Sequence, residues 1–124
     1  MKFIPTAQRT FWRPVTIKSP DPEKSGQLQT ETLEVLFEAL SLDEGVALDE
    51  ELAGLRTDKE RSAHELKRIR RVVLDWRDVV DEKGKAIPFS AEMLDAFIQM
   101  PWHRMGIYRA YHDAMAGQEA RTGN

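Results

Sequence analysis

The chain has 124 residues, of which 41% are hydrophobic and 31% charged, with a formal net charge of −3 and no cysteine. These numbers predict a single domain over residues 1–124, and they exclude a disulfide framework, a thiolate metal site and a cysteine nucleophile. The N-terminus lacks a signal-peptide apolar run, and no stretch reaches the ~20 apolar residues of a membrane span, so we expect a cytoplasmic protein.

The first predicted element is a β-strand over residues 10–18, after a flexible lead-in at residues 1–9. Val15 and Ile17 alternate with polar neighbours, which is the period of a half-buried strand. Pro14 has no N–H to give to a ladder, so it favours a position at the edge of a sheet.

A second strand is predicted over residues 27–37, after a loop at residues 19–26 that contains two prolines and a glycine. The two strands together form a long hairpin. Polar and apolar positions exchange faces near residue 32, which suggests a bulge, a twist or a conversion to helix.

Two helices are predicted next, each opened by a capping box. Ser41 and Glu44 start the first, which covers residues 42–55 and is weakened by Gly45, so it could consist of two short pieces. Thr57 starts the second, which we expect to continue to about Arg77. Its apolar stripe recurs at helical spacing and consists of Leu66, Ile69, Val73 and Trp76.

The last third of the chain predicts a turn and two more helices. Residues 78–89 favour a small hairpin or an ordered loop. Ser90 caps a short helix to about Met100, and Pro101 begins a final helix to about Ala116. With a flexible polar tail at residues 118–124, the whole pattern predicts an α+β fold, mostly α. It consists of an N-terminal two-stranded β-hairpin followed by about four helices.

No spacing in the sequence predicts a catalytic, cofactor or metal site. The three histidines, His64, His103 and His112, lack the three- or four-residue separation of a metal pair on one helix. Nucleophile, phosphate-loop and dinucleotide motifs are also missing. We therefore expect a protein that is not an enzyme and holds no metal or cofactor.

Charge is segregated between two adjacent segments. Residues 42–55 carry five acidic residues and no base, whereas residues 56–71 carry seven bases and three acids. This polarity could support head-to-tail self-association, or it could simply reflect complementary faces of neighbouring helices. The candidate self-association residues are Asp49, Glu50, Glu51, Arg68, Arg70 and Arg71.

The basic face of residues 59–71 also suggests an alternative function as a small regulatory nucleic-acid-binding protein. Ile69 lies on the apolar stripe of the same helix, however, so an ordinary amphipathic helix explains the pattern. The acidic net charge argues against this alternative.

Large amphipathic rings cluster late in the chain, and such rings serve either cores or interfaces. The candidate partner-binding residues are Phe89, Trp102, Tyr108 and Tyr111.

Residues 73–90, VLDWRDVVDEKGKAIPFS, resemble a segment of the tail assembly chaperones of long-tailed bacteriophages. In that family an aliphatic helix ends in a Gly-Trp-like step, then an acidic Asp-x-x-Gly turn, then a Pro-Phe-Ser helix start. Asp75 stands where the family often has Gly. The similarity continues through Pro101 and Trp102 to a helix that ends near Gly117, and it is weaker in the N-terminal hairpin.

The resemblance implies a phage or prophage tail assembly chaperone. Such a protein binds the coiled-coil-prone tape measure protein, helps to recruit tail tube protein subunits, self-associates, and is absent from the mature virion. It would act in the cytoplasm of the bacterial host. Independently of the resemblance, the missing apolar run argues against a membrane partner, and the acidic net charge makes nucleic acid an unfavoured one.

Overall fold

The structure is a computed structural model that describes residues 1–5 and 9–120. Part of the predicted lead-in (residues 6–8) and part of the predicted tail (residues 121–124) lie outside the described residues. The predicted hairpin is confirmed: β1 (Thr10–Pro20) pairs antiparallel with β2 (Leu28–Glu38).

The predicted bulge or conversion to helix near residue 32 is wrong, because the β1–β2 register runs unbroken along the full length of both strands. The alternative of a twist stays a prediction. The apparent exchange of faces has another cause. From Leu33 onward alternate side chains of β2 are buried, whereas the half nearer the turn extends beyond the core and is largely exposed. Strand residues that are exposed on both faces need no alternation of polar and apolar side chains, so this alternation is absent in the exposed half.

The sheet has three strands rather than the two predicted, because a short strand follows the second helix directly. β3 (Val73–Arg77) pairs antiparallel with β2, giving the order β1-β2-β3. The register shifts between Leu36 and Phe37 of β2. That shift lets Val73 and Trp76, three residues apart, both face the core. Because of this irregularity in the strand, two core residues of β3 have the spacing expected of a helix. The predicted continuation of the helix to Arg77 is therefore wrong.

The four predicted helices are present, with the predicted starts. They are α1 (Leu42–Ala53), α2 (Asp58–Val72), α3 (Ala91–Phe97) and α4 (Pro101–Met115). The hydroxyls of Ser41, Thr57 and Ser90 accept the N–H three residues on, as expected of N-caps. α1 is one continuous helix despite Gly45. Among the described residues, no helix is long and apolar enough to cross a bilayer.

The hydrophobic core lies between one face of the sheet and α2, α3 and α4. Trp76 is part of this core and packs edge-on against Phe89 and Phe97, at ring-centroid distances of 5.3 and 5.6 Å. Its indole N–H donates to the carbonyl of Ile87 at 2.9 Å. This one side chain therefore ties β3 to the segment between β3 and α3.

The chain leaves the sheet at Asp78, whose φ of 66° is uncommon for a residue with a side chain. The following segment forms a small turn, closed by an isolated bridge between Val80 and Ala86. The carboxylate of Asp81 accepts the N–H groups of Lys83 and Lys85. The predicted small hairpin or ordered loop is therefore present.

Helix α4 crosses β1 at a very short distance, which Gly106 permits. A Cβ at this position would lie 2.5 Å from Cδ1 of Ile17 and 2.8 Å from the carbonyl oxygen of Thr16. Both separations are well inside van der Waals contact, and one of the two atoms belongs to the backbone. Only glycine fits this crossing without displacing the helix from the strand.

We predict that Gly106→Ala lowers the free energy of unfolding by about 1–3 kcal/mol, because the overpacking outweighs the better helix propensity of alanine. Gly45→Ala is the matched control, since nothing lies within 4 Å of a Cβ at that site in α1. This control is expected to raise stability by about 0.5–1 kcal/mol. Urea denaturation of both variants measures the difference, and equal shifts would contradict the close crossing.

Candidate functional site

Of the four candidate aromatic residues, Tyr111 and Phe89 pack against the hydrophobic core. The Tyr111 ring lies 5.5 Å from that of Phe37, and its hydroxyl accepts the N–H of Leu40 at 3.0 Å. Phe89 packs on Trp76, as described above. Both rings are partly buried against the main cluster, so their contacts are already used within the chain.

Tyr108 is half-buried between α4 and α2. It lines a small cavity of about 40 Å³ together with Ile69 and Val72. Its hydroxyl is 3.5 Å from the carbonyl oxygen of Glu65. Burial, with the nearby Glu65 carboxylate, raises the pKa of Tyr108 to about 12. Its hydroxyl therefore stays neutral at physiological pH.

Trp102 is the candidate that reaches the surface, with 37% of its area exposed. One helical turn on, Met105 is 58% exposed, and Arg109 and His112 continue the same side of α4. We call these four residues the α4 outer stripe. An exposed tryptophan and methionine side by side form an adaptable apolar surface, bordered here by basic and aromatic groups.

The candidate self-association residues mostly have partners within the chain. Arg68 pairs with Asp49 at 2.9 Å, and Lys67 pairs with Glu51 at 3.0 Å. The hydrogen bond from Lys67 holds the pKa of Glu51 below its usual range. These contacts join α1 to α2, so the segregated charges act as complementary faces of neighbouring helices. Their role in contacts between copies stays a prediction.

Arg71 and Arg70 pair with other elements. The Arg71 guanidinium bridges Glu44 of α1 and Glu38 of β2, and Arg70 reaches Asp95 of α3 at 2.6 Å. Arg71 therefore joins three elements at one point. The remaining candidate, Glu50, is exposed, and nothing in the described ranges pairs with it.

The basic face proposed for nucleic acid is largely neutralised by these pairs. Five of its six bases form ion pairs with carboxylates of the same chain: Arg61, Lys67, Arg68, Arg70 and Arg71. Phosphate binding would have to break those pairs or compete with their carboxylates. The structure thus adds no observation in favour of the nucleic-acid alternative.

The histidines do not converge. His64 hydrogen-bonds Glu51 between α1 and α2, whereas His103 donates from Nδ1 to the Phe97 carbonyl and stacks on the Phe97 ring at 4.3 Å. No group of three potential metal-binding side chains occurs in residues 1–5 and 9–120.

A larger groove of about 250 Å³ lies beside β2, in the half nearer the turn. Its apolar lining comes from the sheet, from the segment after β3 and from α3. Glu31, Asp78 and His103 are its titratable residues. The sequence did not predict this groove, because its walls come from segments that are distant in the chain and meet only through β3. The full lining is Ile17, Glu31, Thr32, Leu33, Asp78, Val79, Val80, Phe97 and His103.

We predict that the stability of the protein falls between pH 10 and pH 12. Tyr108 has its raised pKa only in the folded state, so its contribution is complete below the unfolded pKa of about 10 and is lost as the pH rises through 12. Tyr108→Phe should remove this part of the alkaline dependence in urea denaturation. An unchanged pH profile in that variant would show that the hydroxyl is solvated.

Comparisons with known proteins identify no neighbour for this fold or this sequence. Family models, curated proteins and solved structures all gave no match. The similarity of residues 73–90 and 94–117 to phage tail assembly chaperones therefore stays a resemblance. The function has to be argued from surfaces and contacts.

Proposed function

We propose that this protein is a tail assembly chaperone of a phage or prophage, which binds the tape measure protein and helps to recruit tail tube protein. The observation that carries the proposal is the α4 outer stripe, where Trp102 and Met105 stay exposed on a helix whose other side is buried. A holding chaperone needs such an apolar contact surface inside a charged, well-solvated exterior.

The stripe suits a helical partner. Trp102 and Met105 lie three residues apart on one face of α4, and Arg109 follows four residues later. An amphipathic helix of a coiled-coil-prone protein presents its own apolar side chains at the same spacing. Docking it here would cover the apolar pair and leave Arg109 to meet an acidic side chain at the rim.

The contacts within residues 73–90, which carry the resemblance, support a fixed position for α4 and its outer stripe. The Asp81 turn is held by its own carboxylate, and Trp76 binds the backbone of Ile87. These contacts hold the chain just before α3, and three residues separate the end of α3 from the start of α4. The residues of the resemblance thus form the support on which the exposed stripe rests.

We predict that co-expression with the tape measure protein of the same genome keeps that protein soluble and that the two proteins co-purify. Met105→Glu should abolish co-purification, because it places a charge within the apolar contact at a cost of about 2 kcal/mol or more. Leu42→Glu is the matched control, since Leu42 is 81% exposed on α1, away from the stripe.

The proposal would be overturned if the tape measure protein stayed insoluble when co-expressed with the wild-type chain. Equal loss in Met105→Glu and Leu42→Glu would place the contact elsewhere. Thermal unfolding of both variants confirms that the substitutions leave the fold intact, as expected for two exposed positions.

A further inference from the structure

One edge of the sheet is open, and the hydrogen bonds at the ends of the hairpin show which backbone groups face it. The N–H of Ala39 donates to the carbonyl of Arg9, and the N–H of Asp21 donates to that of Gln27. Both pairs continue the β1–β2 register, and all four residues have odd numbers. In an antiparallel pair, hydrogen-bonded and non-bonded residues alternate. The backbone groups of even-numbered residues therefore point away from the neighbouring strand.

On β2 these outward backbone groups face a neighbouring strand, β3, along only half of the strand. β3 pairs with β2 from Glu34 to Phe37, and at Asp78 the chain turns out of the sheet. Leu28, Thr30 and Thr32 lie beyond that point. Within the described part of the chain, no strand or loop hydrogen-bonds to their outward N–H and C=O groups. These three residues form the open edge.

The opposite edge of the sheet is protected at several positions. On β1 the outward positions include Pro14 and Pro20, which have no N–H to donate. Between them, the outward carbonyl of Thr16 lies under α4 at Gly106. Proline and a covering helix are common protections of a strand edge. This sheet therefore has one protected edge and one that can accept a further strand.

The open edge borders the 250 Å³ groove, which gives it side-chain selectivity. The groove floor is apolar, with Ile17, Leu33 and Phe97, and its carboxylates are Glu31 and Asp78. Among residues 1–5 and 9–120, no lysine or arginine lines it. A strand added beside Thr30 would direct alternate side chains into this groove. The groove suits an aliphatic side chain and a basic one, two residues apart.

We infer that the occupant is the N-terminal segment, residues 1–5, of a second copy of this chain, which adds as a strand to the open edge. The segment is exposed in this structure, with Ile4 at 69% of its area. Lys2 and Ile4 would share one face of an extended strand, so a base and an aliphatic group enter the groove together. Pro5, which lacks an N–H, marks the end of the added strand.

The segment of the same copy is too short to fill its own groove. Arg9 lies beside the base of the hairpin, whereas Thr30 stands opposite Lys18, nine residues or about 30 Å further along the strand. Ile4 precedes Arg9 by five residues, so even a fully extended chain spans at most about 18 Å. The contact therefore has to form between copies.

The contacts that hold the segment in a single copy are weak enough to exchange. The Arg9 guanidinium donates to the Ile4 carbonyl at 3.1 Å and lies 5.4 Å from the Phe3 ring centroid. Both contacts are exposed to solvent, where such interactions contribute little. Strand addition between copies is head-to-tail, so it builds chains or rings. It uses a different surface from the α4 outer stripe and does not depend on the chaperone proposal.

Sedimentation velocity over a range of concentrations tests the inference on the full chain. Wild type should self-associate, and Thr30→Pro should weaken association about tenfold or more, because it removes the edge N–H while leaving the β1 ladder intact. Thr30→Val is the matched control, since it keeps the N–H and should associate like wild type. Ile4→Glu should weaken association as strongly, because it places a carboxylate next to Glu31 and Asp78.

Mixing the two defective variants gives the sharpest result. Thr30→Pro retains an intact N-terminal segment, and Ile4→Glu retains an intact open edge and groove. The segment of the first variant can therefore bind the edge of the second, and the two should form a one-to-one dimer that grows no further. A monomeric wild type, or association that neither variant changes, would overturn the inference. If Thr30→Pro failed to fold by thermal unfolding, Ile4→Glu would still decide, because it alters an exposed segment outside every helix and strand.

Discussion

The close crossing of α4 over β1 is the constraint on which the rest of this fold depends. With no side chain at Gly106, the helix reaches the backbone of Thr16 and the side chain of Ile17. The position of α4 then fixes three other contacts. Tyr111 meets Phe37 and Leu40, Tyr108 closes against α2, and His103 stacks on Phe97. The same crossing protects the β1 edge and leaves the opposite side of α4 exposed.

Local signals predicted the elements whose causes are local. The hydroxyl caps at Ser41, Thr57 and Ser90, and the proline that begins α4, act through atoms within one helical turn. Each of these boundaries is where the sequence indicated. The hairpin likewise follows from alternation in β1 and from the turn-forming residues between the strands. Such features need no knowledge of the remainder of the chain.

β3 could not be predicted, because its cause is a tertiary one. Val73 and Trp76 have the spacing of a helix face, and they follow a well-formed helix without any breaking residue. Only the register shift opposite Leu36 and Phe37 makes that spacing compatible with a strand. The roles of the candidate site residues could not be predicted either, again because they depend on tertiary contacts. Amphipathic rings such as Tyr108 and Tyr111 look alike in sequence whether they pack inward or outward, and the partners of the segregated charges are visible only once α1 lies on α2.

The α4 outer stripe and the open edge of β2 differ in physical character and so suit different partners. The α4 outer stripe is a side-chain surface on a rigid helix, where affinity comes from apolar contact and can tolerate many helical sequences. The open edge of β2 is a backbone surface, where hydrogen bonds supply the affinity and the groove selects two side chains. The half of β2 that carries this edge is largely exposed and adds little to the core. A strand added there would complete the hydrogen bonds of Leu28, Thr30 and Thr32. It would also give the length of the hairpin a physical role that the isolated domain does not provide.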